Sequence, residues 1–193
     1  ALAIGADYLV MHPGSSKGQS IDVAMATLAA SMAAAVKGLK FDGLTILLEN
    51  TAGAGATIGR TFEELRELHE RLLREAGIET GYCLDTAHCL ASGYDVSSQE
   101  GLENTVAQAS RILGLRRIPV IHSNDSKAPL GSQVDRHEHI GRGHIGKEGF
   151  RRILCHPKLR GKAFILETPI DKPGDDRRNL NALKRLAKTD RIV

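Results

Sequence analysis

The residues of this 193-residue chain best placed to do chemistry are His12, Glu49, Asp85, His88, His122, Asp135, His137 and Glu167. Most of them close a short apolar run. "DYLVMH" (7–12) ends in His12, "LTILLEN" (44–50) carries Glu49, and "GYCLDTAH" (81–88) carries Asp85 and His88. "IPVIHSND" (118–125) carries His122 and Asp125, and "AFILETP" (163–169) carries Glu167. Asp135 and His137 come from a different setting, the Gly-rich stretch "SQVDRHEHIGRGHIG" (132–146), which has almost nothing apolar to bury. Imidazoles mixed with carboxylates, with no thiolate required, suit a catalytic zinc, or manganese or iron(II). Because carboxylates can bridge two ions, the mixture favours a multi-metal site over a lone metal. Asp85 and His88 lie three apart just past a strand, so both can face one cavity. Asp135 and His137 lie two apart, which in extended chain puts both on one side. The loop is therefore expected to be ordered by a metal ion in place of a core.

Each residue also has a plainer reading. A strand-end His is commonly a hydrogen-bonded structural residue, and a strand-end Glu can serve a helix N-terminus or an ion pair. His69 and His156 fall in helical stretches and read as surface residues. His139 and His144 read as solvent contacts of the loop. The glycines of "HIGRGHIG" lack the spacing of a phosphate loop. Against independent accidents stands the joint pattern, in which all five apolar runs end in ligand-type residues.

The elements that must position these groups alternate. The five runs are short, rich in branched aliphatics and not alternating in polarity, as strands buried on both faces are. Between them lie helical stretches at 20–39, 61–77, 98–115, 146–159 and 179–188. The second opens on Thr61 with Glu64 three residues later, a capping box, and closes on Gly77. The resulting β-α repeat predicts a parallel sheet with helices outside it. Strand C-termini gather the ligands in both barrels and doubly wound sheets, but an open sheet spreads its strand ends along a line. Convergence on one point favours a TIM (β/α)8 barrel. About five βα units are visible, so the chain reads as an N-terminally truncated portion of one domain spanning 1–193. "ALAIG" at the start looks like the last turn of a helix, and about three units are expected upstream.

Composition excludes several classes. Aromatics are 4% with no Trp, so Leu, Ile, Val and Ala are expected to fill the core. The formal net charge of +3 permits a polyanionic partner without demanding one. From Arg151 onward there are twelve Lys or Arg against five Asp or Glu, which reads as a solvated helix face. Cys83, Cys89 and Cys155 make no disulfide framework and point to a reducing compartment. No apolar run approaches the ~18 residues of a membrane span, and no signal peptide is evident. A soluble, cytoplasmic monomer is expected.

The stretches "VMHPGS", "LLENTAGAG", "CLDTAHCLASGYD", "HSNDSKAPLGSQVDRHEHIGRGHIG" and "ILETP" resemble successive signatures of the endonuclease IV family of apurinic/apyrimidinic endonucleases. The resemblance runs through nearly the whole chain. It implies a TIM barrel with three zinc ions (manganese being possible) in a DNA-binding crescent. By that resemblance Glu49 bridges the first two zincs, and His12 is a ligand of the first. Asp85, His122 and Glu167 complete the second, and His88, Asp135 and His137 hold the third. His139 and His144 fall outside the family's ligand set. The implied activity, of the deoxyribonuclease IV type, is hydrolysis of the phosphodiester 5′ to an abasic site in duplex DNA. Metal-activated water attacks phosphorus in line, the third zinc assists the leaving oxygen, and a 3′-hydroxyl remains. An abasic nucleotide fits because, with no base to unstack, it costs least to extrude. Ala54, Ala87 and Ser123 depart from the family's usual Gln, Cys and Leu; none is a ligand, and small effects are expected. Without the family's further N-terminal His and DNA-contacting loops, the isolated chain is expected to be poorly active.

Two other readings compete. Sugar isomerases and epimerases of the xylose isomerase type share a metal-bearing barrel, but need only one or two ions. A zinc- or DNA-binding fragment without catalysis is the non-enzymatic alternative.

Overall fold

A computed structural model describes residues 1–41 and 43–188, so Asp190 and Arg191 of the basic tail lie outside the described residues. Five parallel strands form one sheet: β1 (Tyr8–Met11), β2 (Thr45–Glu49), β3 (Thr80–Asp85), β4 (Val120–His122) and β7 (Ala163–Ile165). Their spatial order follows the chain, β1-β2-β3-β4-β7. A doubly wound sheet would reverse direction at its switch point, whereas a barrel winds one way, so the winding is that of a barrel. A second sheet pairs β5 (Asp125–Ser126) antiparallel with β6 (His137–Glu138). Among the described residues six α-helices accompany the strands: α1 (Ile21–Ala35), α2 (Phe62–Ala76), α3 (Thr86–Ser92), α4 (Gln99–Ile112), α5 (Gly146–Cys155) and α6 (Asp175–Ala187).

Burial follows position in the sheet. All described side chains of β3 and β4 are buried, as is β2 beyond Thr45, whereas β1 and β7 are largely exposed or half-buried. The expectation that every run is buried on both faces therefore fails at the two strands that have a neighbour on one side only. β3 also ends sooner than its apolar run. Asp85 accepts from the backbone N–H of His88 at 2.9 Å and so caps α3, a helix inside the stretch read as strand. β4 stops at His122, where the chain leaves for the small sheet. The final helix begins at Asp175, four residues before the expected start.

The α2 cap is half the expected box. Thr61 Oγ1 accepts from Glu64 N at 3.1 Å, but the Glu64 carboxylate accepts from Gly59 N and Arg60 N instead of Thr61 N. Gly77 ends the helix with φ +66°, a conformation that suits glycine. Inward, α2 presents Phe62, Leu65, Leu68, His69 and Leu72, one helical stripe. His69 is thus buried, against expectation. Its Nδ1 lies 2.8 Å from Thr80 Oγ1 and its Nε2 2.7 Å from Arg117 Nη1. A guanidinium can only donate, so Nε2 accepts and the ring is neutral with its proton on Nδ1. Burial and the Arg117 charge lower the His69 pKa accordingly. His156 is buried too, beside Glu103 at 3.4 Å. The few aromatics also matter more than composition suggests: Tyr82, Phe62 and Phe150 are among the largest fully buried side chains, and Phe62 stacks on Tyr94 at 3.9 Å between ring centres. No described helix is long and apolar enough to cross a membrane. Cys83, Cys89 and Cys155 form no disulfide.

Candidate metal centre

Parallel pairing brings the strand ends level. Glu49 stands opposite Cys83, Asp85 opposite His122, and His122 opposite Ile165. His12 follows β1 directly, and Glu167 lies two residues beyond β7. The floor of the cluster is dry: Glu49, Asp85, His88 and His122 are at most 4% exposed. The side chains of His12, Asp135 and Glu167 are about half exposed and form its open side.

Three groups of donor atoms converge, each mutually within 4.8 Å: His12, Glu49 and His88; Asp85, His88 and His137; and Glu49, Asp85, His122 and Glu167. His122 Nδ1 sits between Glu49 Oε1 at 2.9 Å and Glu167 Oε2 at 3.0 Å, and His12 Nε2 lies 3.2 Å from Glu49 Oε2. Asp135 joins the second group from the loop, with Oδ1 3.2 Å from His88 Nε2 and 3.7 Å from His137 Nε2. All eight residues singled out in the sequence are thus brought together. Glu49, Asp85 and His88 each belong to two groups.

The donor set fits cations. His88 Nδ1 lies 2.9 Å from Asn50 O, and His137 Nδ1 lies 3.0 Å from Glu167 O. Those carbonyls accept the Nδ1 protons and leave both Nε2 atoms as lone pairs, which face each other at 3.4 Å with the Asp135 carboxylate alongside. Such a convergence of acceptors requires a proton or a metal ion at its centre. The separations bracket the edge of about 3.3 Å expected between ligands of a tetrahedral zinc with ~2 Å bonds.

In the metal-free chain protons take that place. Burial works to raise the Glu49 carboxyl, yet hydrogen bonds from His12 and His122 outweigh it and hold Glu49 at about 2. Burial works against charge on His88, but Asp85, Asp135 and Glu49 raise it to about 9. His122 is likewise raised against burial, to about 12, by Cys83, Glu167 and Glu49. The hydrogen bond to Glu49 raises His12, and those from His88 and His122 lower Asp135 and Glu167 respectively.

Several positioning residues were not singled out from sequence. Fully buried Asn50 accepts from Asp85 N at 2.7 Å through Oδ1 and orients His88 through its carbonyl. Asn124, equally buried, donates from Nδ2 to Asp85 Oδ2 at 2.5 Å and accepts from Glu167 N at 2.8 Å. Thr86 Oγ1 donates to Asn124 O at 2.7 Å. The available signal was proximity, since Asn50 follows Glu49 and Asn124 lies two beyond His122.

The Gly-rich loop has an organiser that the sequence reading left unassigned. The buried Asp125 carboxylate accepts from the backbone N–H groups of Ser126, Gly141, Gly143, Ile145 and Gly146. Such an array is an anion nest. A Cβ at Gly143 would collide with Ser126 O and the Asp125 carboxylate, so glycine is required there. His144 is exposed, as expected of a solvent contact. His139 is not: its Nδ1 lies 3.0 Å from Asn179 Nδ2 and its Nε2 3.4 Å from Asp171.

The chain is 54% identical over 187 residues to the "Probable endonuclease 4" of Solibacter usitatus, covering 97% of this chain and 64% of that protein. It is 44% identical over 166 residues to the "Probable endonuclease 4" of Halothermothrix orenii, covering 86% and 59% respectively. Among solved structures it superposes on endonuclease IV from Thermus thermophilus with a TM-score of 0.79 at 37% identity, over 96% of this chain and 63% of that one. The chain therefore spans less than two thirds of the length of these relatives. The profile of the xylose isomerase-like TIM barrel family matches residues 1–188, and to that family, alongside sequences named endonuclease 4, the chain belongs.

Proposed function

We propose that the protein is a zinc-dependent DNA-repair endonuclease that hydrolyses the phosphodiester 5′ to an abasic site in duplex DNA. In this reading 1–193 is one domain of a cytoplasmic, monomeric enzyme. The observation that carries it is the sharing of donors, with Glu49, Asp85 and His88 each common to two adjoining groups. Shared carboxylates suit ions held side by side, and such paired ions stabilise the attacking and leaving oxygens of an in-line phosphoryl displacement. The similarity to proteins named endonuclease 4 supports the substrate class.

His12 and Glu49 would hold one zinc, Glu49, Asp85, His122 and Glu167 a second, and His88, Asp135 and His137 a third. Zinc bound there supplies Lewis acidity and water of lowered pKa. The chain's own residues set its frame. Asn50 and Asn124 fix Asp85, Asn50 fixes the tautomer of His88, and the Glu167 carbonyl fixes that of His137. The dry floor strengthens the field of the buried groups, and the open side formed by His12, Asp135 and Glu167 is where a phosphate enters.

The test is metal content together with cleavage of a duplex bearing a tetrahydrofuran abasic analogue, using the full-length protein. Three zincs per molecule and a nick 5′ to the lesion with a 3′-hydroxyl end are expected, both lost on chelation. One or two ions with aldose–ketose conversion and no nicking would replace this reading with a sugar isomerase.

A further inference from the structure

Asp135 reaches the metal rim from the loop 127–136, which joins β5 to β6. Beyond Ser126 the Asp125 clamp grips 141–146, so it does not hold this loop. Apolar packing does not hold it either, since none of its residues beyond Ala128 is buried. Hydrogen bonds do. Gly131 N donates to Leu90 O and Gln133 N to Ala91 O, both at 2.9 Å, which docks the loop on the last turn of α3.

The backbone of Gln133 has φ +55°. Among the described residues only Lys17 joins it as a non-glycine residue of positive φ. A side chain is strained there, and such strain persists where the surroundings over-determine it, often at ligand clamps. Two neighbours supply the constraint. Gly53 O can only accept and the Arg60 guanidinium can only donate, which orients the Gln133 amide. Its Nε2 donates to Gly53 O at 3.2 Å and its Oε1 accepts from Arg60 Nη1 at 3.3 Å. The receiving side is fitted as well. Gly53 is buried with φ +81°, and a Cβ there would run into the Arg60 stem, so glycine lets Arg60 lie across the β2–α2 loop. One amide thus ties the loop bearing Asp135, two residues on, to the segment that leaves β2 after Glu49.

We infer that Gln133 is a positioning residue for the third ion: latched to Gly53 and Arg60, it sets Asp135 beside His88 and His137. The inference rests on the three-ion part of the proposed function and adds an asymmetry to it. Glu49, Asp85 and His122 stand on strand ends in a dry floor, whereas the third group depends on a latch at the surface.

The experiment follows zinc bound per molecule of full-length protein against buffered free zinc. Asp135→Asn, which removes a ligand of the third group, identifies the binding step that belongs to it. Gln133→Gly deletes the latch and relieves the strain, Gln133→Ala deletes the latch and keeps the strain, and Arg60→Met leaves residue 133 untouched. Two neutral bonds at an exposed latch, each worth about threefold, should move the third step about tenfold toward higher free zinc in either Gln133 variant, and about threefold in Arg60→Met. The other steps should stay in place. Gln133→Gly should unfold at a higher urea midpoint than Gln133→Ala, so the more stable variant still binds the third ion poorly, a split that a merely structural role would not produce. Lys17→Gly relieves the same strain elsewhere and should leave zinc binding unchanged. At limiting zinc, kcat of Gln133→Gly on an abasic duplex should fall, and saturating zinc should restore it. A wild type with three zincs, whose Gln133→Gly and Arg60→Met variants bind the third as tightly, overturns the inference alone, as does a Gln133 variant that loses all three equally. A wild type that never takes a third zinc overturns the three-ion reading and this inference with it.

Discussion

Replacing Asn124 with leucine removes one side chain of similar size that ties three strand ends together. Its amide donates to Asp85 in a buried bond and accepts from Glu167 N in a half-buried one. A hydrogen bond to a charged group contributes about 1.5–3 kcal/mol net, and an N–H left without a partner costs up to about 1–3 kcal/mol, the less the more water reaches it. The variant should therefore lose about 3–5 kcal/mol, a large share of the ~5–15 kcal/mol that holds a typical domain together. Because Asp85 belongs to two donor groups, its freedom should also weaken metal binding by about 10–100-fold, the usual effect of losing a partner that orients a ligand. Urea unfolding of the metal-free protein reads the first quantity, and competition with a chelator for zinc reads the second. An unchanged midpoint together with unchanged zinc affinity would refute the positioning role.

Glu49→Ala in the full-length protein should abolish cleavage and lower zinc content while abasic-DNA binding persists; undiminished turnover would sink the metal assignment. Gly143→Ala should cost at least about 2 kcal/mol, because the added methyl displaces the Asp125 clamp; an unshifted denaturation midpoint would contradict that account. Ser123 Oγ is buried without a hydrogen-bond partner, so Ser123→Ala should be neutral or stabilising by about 1 kcal/mol in thermal unfolding. His69 has its pKa lowered below 6.5, so between the folded and unfolded values the unfolded chain binds the extra proton. Its contribution is complete above pH 6.5 and is lost as pH falls through the folded value. His88 acts oppositely in the metal-free chain: raised to about 9, its contribution is complete below pH 6.5 and is lost as pH rises through 9. His69→Gln should remove part of the acid-side loss and leave the alkaline side intact, and an unaltered acid limb would count against the neutral, Arg117-bound ring.

The strand ends were legible because two independent signals coincide there, an apolar run that stops and a titratable residue at the stop. Asn50, Asn124 and Thr86 carry no such signal, since neutral polar residues suit loops, caps and cores alike. Asp85 hid a helix, because one carboxylate both caps α3 and faces the site, and the apolar pattern continues through Thr86 and Ala87. His69 and His156 were misread for a related reason: a lone imidazole on an amphipathic helix does not reveal which partner will satisfy it. Asp125 stood in plain view at a strand end, but all its partners save the adjacent Ser126 N–H are backbone amides sixteen and more residues away, which side-chain types do not announce. The edge strands β1 and β7 differ from expectation through position in the sheet, a property of the whole fold and not of their own residues.

That same aspartate frees the loop's outward residues from structural duty. Its grip is on main-chain amides alone, so identities at Arg142 and His144 can drift without disturbing the frame. One carboxylate thereby makes a rigid rack on which charges can be exchanged, and substrate handling can be retuned while the neighbouring metal rim keeps its shape.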